Sequence, residues 1–156
     1  MEAQDWTASP VWLKGAASDQ RPLVLVVEDN RADVFLVERA VEVRKLPVRL
    51  LVLDDGEQAL RYFARVDSDP SASCPDLLLL DLNLPRKSGQ EVLRQIKSAG
   101  RCANVPVIIL TSSNSAEDRR ETAALGAIRY FRKPASYQEF LKIGEIVEEV
   151  LAETRS

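Results

Sequence analysis

Four consecutive leucines, residues 77–80, end at Asp81 and constrain the fold more than any other segment of the chain. A half-exposed strand would alternate apolar with polar residues, so this unbroken run indicates a strand that is buried on both faces. In open parallel sheets, ligands bind where the strands end, which makes Asp81 the leading candidate functional residue. The alternative is that Asp81 is only a turn aspartate before Pro85.

The rest of the chain repeats this pattern, because apolar runs alternate with segments of helical periodicity. Strands are predicted over 23–27, 48–53, 77–80, 105–110 and 128–131. The first two helices are predicted from about Arg31, with Asn30 as cap, and over 57–64, with Asp55 as cap. A loop over 66–75 follows the second helix. The other three helices are predicted from Ser88 to about Gly100, from Ser115 to Gly126 and over 138–152. Five alternating strands and helices predict an α/β doubly wound fold, in which helices cover both faces of one five-stranded parallel sheet.

The predicted domain spans residues 22–152 and is flanked by an irregular N-terminal arm, 1–21, and a C-terminal tail, 153–156. The arm contains both tryptophans, Trp6 and Trp12. One interpretation has residues 11–13 docking on the domain or on a second subunit, since large aromatic rings anchor interfaces. The other is a disordered extension, and the sequence leaves both open.

Composition excludes several classes of function. A net charge of −3 provides no basic field for nucleic acid, and no run approaches the roughly 18 apolar residues of a membrane span. The chain has no histidine, and Cys74 and Cys102 lack the spacing of metal ligands. We therefore expect a cytoplasmic protein that binds neither nucleic acid nor membrane and keeps both cysteines as free thiols.

Reactive side chains follow four of the predicted strands. The ends of parallel strands meet at one edge, so Glu28, Asp29, Asp81, Thr111 and Lys133 are expected to converge. Carboxylates about 4 Å apart repel by roughly 4 kcal/mol per pair at an effective dielectric near 20, a cost that bound Mg²⁺ removes. A metal, an ammonium group and a hydroxyl could hold a phosphoryl group while Asp81 attacks phosphorus in line.

The order and spacing of these residues resemble those of the receiver domain of two-component response regulators, and the resemblance covers about residues 22–152. The resemblance rests on the pair Glu28-Asp29, the turn 81–85 with Gly89 eight residues after Asp81, Thr111-Ser112, and Tyr130 three residues before Lys133-Pro134. It implies a flavodoxin-like sheet of strand order 2-1-3-4-5. It also implies a switch rather than a turnover enzyme, in which Asp81 accepts a phosphoryl group from a histidine kinase and later loses it.

The same resemblance implies the metal site. Asp29 would bind Mg²⁺ directly, and Glu28 would bind it mostly through water. The backbone carbonyl of Asn83 and the side chain of Asp81 would also be ligands.

It also implies the roles of the residues around the phosphoryl group. Lys133 would contact a phosphoryl oxygen, Thr111 would move to hydrogen-bond another, and Tyr130 would swing inward behind Thr111. The Lys133–Pro134 peptide bond would be cis.

The segments 81–89 and 31–37 look like those of stand-alone receivers paired with bacterial phytochrome kinases. That narrower resemblance implies a light-sensing kinase as donor and a homodimer through the fifth strand and the last helix. The output would be protein contact, on the face of the fourth helix, the fifth strand and the last helix. Two alternatives are a pseudo-receiver scaffold and a phosphoaspartate hydrolase, although Asn83 could not be the general acid of the hydrolase.

Overall fold

The computed structural model of the chain describes residues 19–98 and 100–155, without the side chain of Arg155. Five strands form one parallel sheet of order β2-β1-β3-β4-β5, which confirms the predicted fold. Their bounds are β1 Leu23–Val27, β2 Arg49–Leu53, β3 Leu77–Leu80, β4 Val107–Thr111 and β5 Arg129–Arg132. Val27 pairs with Leu53 of β2 and Leu80 of β3, so the three strands end at the same level.

The helices lie between the strands, as predicted, and several of their ends depend on side-chain caps. Their bounds are α1 Arg31–Val43, α2 Gly56–Ser68, α3 Gly89–Ser98, α4 Ala116–Ala124, α5 Tyr137–Phe140 and α6 Ile143–Arg155. The predicted caps Asn30, Asp55 and Ser115 each accept a hydrogen bond from a backbone N–H in the first turn.

Two helix boundaries differ from the prediction. Helix α2 continues to Ser68 because Val66 extends its buried stripe, so the predicted loop over 66–75 is shorter. The last predicted helix is divided into α5 and α6, since the N–H groups of Lys142 and Gly144 bond three residues back, as in a 3₁₀ turn. Helix α6 runs to Arg155, so residues 153–155 of the predicted tail are helical.

The core lies on both faces of the sheet. Because successive strand side chains point to opposite faces, Leu78 and Leu80 pack with α2 and α3, whereas Leu77 and Leu79 pack with α1 and α6. All four leucines are completely buried, which confirms the double burial expected from the sequence.

The expectation of two free thiols was wrong. Cys74 and Cys102 form a disulfide, with their Cα atoms 5.6 Å apart. Cys74 precedes β3 and Cys102 precedes β4; these strands are neighbours, so the segments before them meet at the same edge of the sheet. The sequence separation of 28 residues does not reveal this neighbourhood.

The expected cis bond between Lys133 and Pro134 was also wrong, because the bond is trans. This is the isomer that X–Pro bonds favour by about 0.5–1 kcal/mol, and with it the Lys133 ammonium still reaches the end of β3.

The ends of the chain are only partly described. Residues 19–21 have no regular secondary structure, and the rest of the predicted arm, including Trp6 and Trp12, lies outside the described residues, as does Ser156. None of the described helices is long and apolar enough to cross a membrane.

Candidate functional site

Three carboxylates meet where β1 and β3 end. One oxygen from each of Glu28, Asp29 and Asp81 lies within 4.8 Å of the others. Glu28 and Asp81 are buried and Asp29 is exposed. This is a set of hard oxygen ligands open to solvent on one side, the kind that Mg²⁺ and similar cations prefer.

Lys133 neutralises part of this charge. Its Nζ lies 2.7 Å from Glu28 Oε1, 2.8 Å from Asp33 Oδ2 and 3.5 Å from Asp81 Oδ2. Burial alone would lower the pKa of Lys133, but its contacts with Asp33 and Glu28 outweigh burial and raise that pKa, so the ammonium stays charged. Its backbone N–H donates to the carbonyl of Thr111 at 2.7 Å, which fixes the end of β5 beside β4.

Glu28 is held in an environment that disfavours its charged form. Burial and the nearby charge of Asp81 raise the pKa of Glu28 to about 7, although Lys133 and the backbone N–H of Asn30 oppose the shift. Its Oε1 pairs with the Lys133 ammonium at 2.7 Å, and its Oε2 accepts a hydrogen bond from the N–H of Asn30 at 3.0 Å. The Glu28 carboxylate is therefore shared between Lys133 and the acidic cluster that could hold a metal.

Asp33 is a site residue that the sequence analysis missed. Its side chain is 18% exposed and pairs with Lys133. The signal was available, because Asn30 caps α1 immediately after the acidic pair and its side chain accepts from the N–H of Asp33. An acid in the first turn of that helix must lie next to the strand exits.

The backbone around Asp81 is closely packed. Asp81 Oδ1 accepts a hydrogen bond from the N–H of Asn83 at 3.2 Å, and the N–H of Gly89 donates to the carbonyl of Leu82 at 3.0 Å. A Cβ on Gly89 would lie 2.2 Å from the carbonyl oxygen of Asp81. Only glycine at this position lets α3 begin directly against the residue that carries the central carboxylate.

Thr111 and Tyr130 are connected through Ser113. The buried hydroxyl of Thr111 accepts from the N–H of Ser113 at 3.2 Å, and the half-buried Tyr130 donates its hydroxyl proton to the carbonyl of Ser113 at 3.0 Å. The guanidinium of Arg119 lies 4.3 Å from the centre of the Tyr130 ring. The loop after β4 therefore connects the edge of the sheet to an aromatic ring covered by α4, a contact that the sequence did not reveal.

The family follows from comparison with known proteins. The family model of the response regulator receiver domain matches residues 24–144. The chain belongs to this family. Receiver domains are signalling modules of two-component systems, and their flavodoxin-like fold agrees with the sheet described above.

Individual receivers support the same assignment. The probable methanogenesis regulatory protein FilR2 of Methanothrix harundinacea is 38% identical over 127 residues, 81% of each chain. The response regulator Rcp1 of Synechocystis is 31% identical over 137 residues, 88% of this chain and 93% of Rcp1. A solved structure of Rcp1 in its Mn²⁺-bound form superimposes with a TM-score of 0.73 over 82% of this chain and 92% of that one.

The phosphorylated cyanobacterial phytochrome response regulator RcpA has a similar structure. It superimposes with a TM-score of 0.76 and 34% identity, over 86% of this chain and 96% of RcpA. Solved relatives of this receiver thus include phytochrome response regulators, as the sequence resemblance predicted.

Proposed function

We propose that this protein is a stand-alone phosphorylation switch, in which Asp81 accepts a phosphoryl group from a sensor histidine kinase and the phosphorylated receiver signals by protein contact. The observation that carries the proposal is the position of Asp81, with Glu28 and Asp29 oxygens within 4.8 Å and the Lys133 ammonium at 3.5 Å. The match covers 93% of the response regulator Rcp1, which supports signalling through the receiver domain itself.

The residues present fit a divalent cation. Glu28, Asp29 and Asp81, with the backbone carbonyl of Asn83, would hold Mg²⁺, because one oxygen from each of the three acids lies within 4.8 Å of the others. The Mn²⁺-bound form of Rcp1 supports a divalent site in a close relative. Bound Mg²⁺ would supply positive charge that balances the phosphoryl oxygens during transfer.

Asp81 is a carboxylate nucleophile that needs no general base. One of its oxygens forms the new bond to phosphorus while the bond between phosphorus and the kinase imidazole nitrogen breaks, and the imidazole leaves. Lys133 lies where it can hold a phosphoryl oxygen by charge, and water later hydrolyses the acyl phosphate and resets the switch. The absence of histidine from the chain is compatible with this chemistry.

The loop after β4 offers a path from phosphorylation to output. A phosphoryl group adds about −1.5 to −2 charges and three acceptor oxygens next to Lys133. We propose that it draws the Thr111 hydroxyl away from Ser113, which also holds the hydroxyl of Tyr130. Movement of Ser113 then releases Tyr130 from Arg119 and repacks the face of α4, β5 and α6.

The phytochrome regulators among the relatives support a light-sensing kinase, in particular a bacteriophytochrome, as the phosphoryl donor. We also propose that the switch acts in the cytoplasm, where the catalytic domain of a sensor histidine kinase would meet it. Fractionation of cells tests that location: recovery of the protein with a cytoplasmic marker supports it, and recovery with an extracytoplasmic marker contradicts it.

The phosphoryl-transfer chemistry is tested by intact mass after incubation with Mg²⁺ and a small acyl-phosphate donor. We expect one added phosphoryl group, lost with EDTA and in Asp81→Asn. Asp54→Asn is the matched control, because Asp54 is an exposed acid that follows β2, on the far side of β1 from Asp81, and its replacement should leave the adduct intact.

Failure to form the adduct would have two explanations, which binding of beryllofluoride would distinguish. A stable complex with beryllofluoride and Mg²⁺ would support the switch and indicate rapid hydrolysis of the acyl phosphate. No complex, with the fold intact, would contradict the proposal and favour the scaffold.

A further inference from the structure

An apolar groove of about 420 Å³ lies at the edge of the sheet opposite Asp81. Its lining is formed by Pro22, Leu46, Pro47, Val48 and Leu151, with the carboxylate of Glu148 as its charged group. A buried cavity of about 150 Å³ accommodates a benzene molecule, so this groove can take at least one large aromatic side chain.

The described chain begins at the border of this groove. Asp19, three residues before Pro22, pairs with Arg21 at 2.8 Å and approaches Arg49 to 3.8 Å. The Nε–H of Arg49 donates to the carbonyl of Arg21 at 3.0 Å. Its backbone N–H donates to the carbonyl of Pro22 at 2.8 Å. Because Arg49 follows Val48 of the lining, these contacts fasten residues 19–22 beside the groove.

The 18 residues before Asp19 contain a segment of matching chemistry. Val11, Trp12 and Leu13 are consecutive apolar residues, which matches the apolar lining of the groove; its Glu148 carboxylate is already paired with Arg44 at 2.6 Å. Trp12 is seven residues from Asp19, a stretch that spans up to about 25 Å when extended. A segment tethered this closely has a high effective concentration at the groove, at the millimolar level for short linkers.

We propose that residues 11–13 of the same chain occupy this groove, with the Trp12 indole as the anchor. Burial of the indole covers apolar surface that the domain otherwise leaves exposed. Attachment in the same chain is supported by the contacts of residues 19–22 with Arg49, which hold Asp19 beside the groove. The proposal is independent of the phosphorylation chemistry at the opposite edge.

Tryptophan fluorescence tests this docking directly, because both tryptophans of the chain, Trp6 and Trp12, lie in the arm. In full-length Trp6→Phe, we expect a blue-shifted emission and weak quenching by acrylamide. Adding Pro47→Asp or Leu46→Asp should shift the emission to the red and raise the quenching constant several-fold. Phe35→Asp is the matched control, because Phe35 is 55% exposed on α1 and outside the groove lining, and it should change neither signal.

Three results would overturn the proposal. One is an emission from Trp6→Phe that equals that of the urea-unfolded protein. Another is unchanged protection in Pro47→Asp, which alters an exposed residue and should leave the circular dichroism spectrum intact. The third is protection that disappears on dilution, since that would place the arm of a second copy in the groove.

Discussion

At the residue scale, charge is unevenly balanced around Asp81. The Lys133 ammonium lies within 3.5 Å of carboxylate oxygens from Glu28, Asp33 and Asp81, and Asp29 adds a further acid beside them. One cation cannot neutralise four carboxylates, and like charges at these distances repel at a low effective dielectric. The site is therefore arranged for a cation or a phosphoryl group at the expense of metal-free stability.

Replacing Asp81 by Asn should stabilise the metal-free protein. It removes one negative charge and keeps the shape of the side chain. In EDTA we therefore expect the free energy of unfolding to rise by about 1 kcal/mol, which raises Tm by about 2–4 °C. Saturating Mg²⁺ should abolish the gain. Thermal unfolding of both proteins, with Asp54→Asn as control, measures it, and a lower Tm for Asp81→Asn would show that the acids do not repel.

The pH dependence of stability should reveal Glu28. Burial raises its pKa from an ordinary value of 4.5 to about 7, so the folded state binds the proton more tightly than the unfolded state. The stability that this group contributes is complete below pH 4.5 and is lost as the pH rises through about 7. The uncharged Glu28→Gln should therefore gain Tm relative to wild type between pH 5 and pH 8 in EDTA; a constant difference would contradict the raised pKa.

At the scale of elements, the predictable features depend on neighbours in the sequence. The unbroken leucine run gave a strand buried on both faces, and polar residues ahead of helical periodicity gave the caps Asn30, Asp55 and Ser115. The alternation of strands and helices then determined the fold class. The same local rules placed Glu28 and Asp29 next to Asp81, because parallel strands end at a common edge.

The features that escaped prediction depend on contacts between distant segments. The partner of Cys74 and the contact of Arg119 with Tyr130 follow from how neighbouring loops and helices pack, which no local pattern encodes. Asp33 is the exception, since the cap at Asn30 was predicted and the position of the next acids followed from it. Roles in phosphoryl transfer remain predictions for the experiments above.

The disulfide should account for much of the stability of the loops before β3 and β4. It closes a loop with a sequence separation of 28 residues, for which chain entropy gives about 3–4 kcal/mol. Arg101 supports the same region by donating to the carbonyls of Val66, Asp69 and Ala72 at distances between 2.6 and 3.0 Å.

We expect a reductant to lower the free energy of unfolding of the wild type by that amount, measured in urea. The double variant Cys74→Ser, Cys102→Ala should already be less stable and should not respond to the reductant. Two titratable thiols in the folded, unreduced protein would contradict the disulfide.

At the scale of the whole molecule, β5 is an edge strand of the sheet, since within the described residues only β4 pairs with it. Arg129 and Arg132 place charge along that edge, a common protection against uncontrolled strand pairing. Arg129 also pairs with Glu153 of α6 at 2.8 Å, so the edge strand and the last helix form one continuous surface. Ile128, 41% exposed, adds an apolar residue where β5 begins.

We predict that this surface forms the homodimer expected from the sequence, and that activation strengthens it by repacking the loop after β4. Sedimentation velocity of the protein with Mg²⁺ and beryllofluoride should show a concentration-dependent dimer. Ile128→Asp should raise its dissociation constant at least about tenfold, a cost of about 1.4 kcal/mol for a charge placed in the interface. Phe35→Asp, which adds the same charge at an exposed apolar residue of α1, should leave the dimer intact. Dissociation by Phe35→Asp instead would move the interface to α1, and a monomer at every concentration would leave β5 and α6 free to contact a different protein.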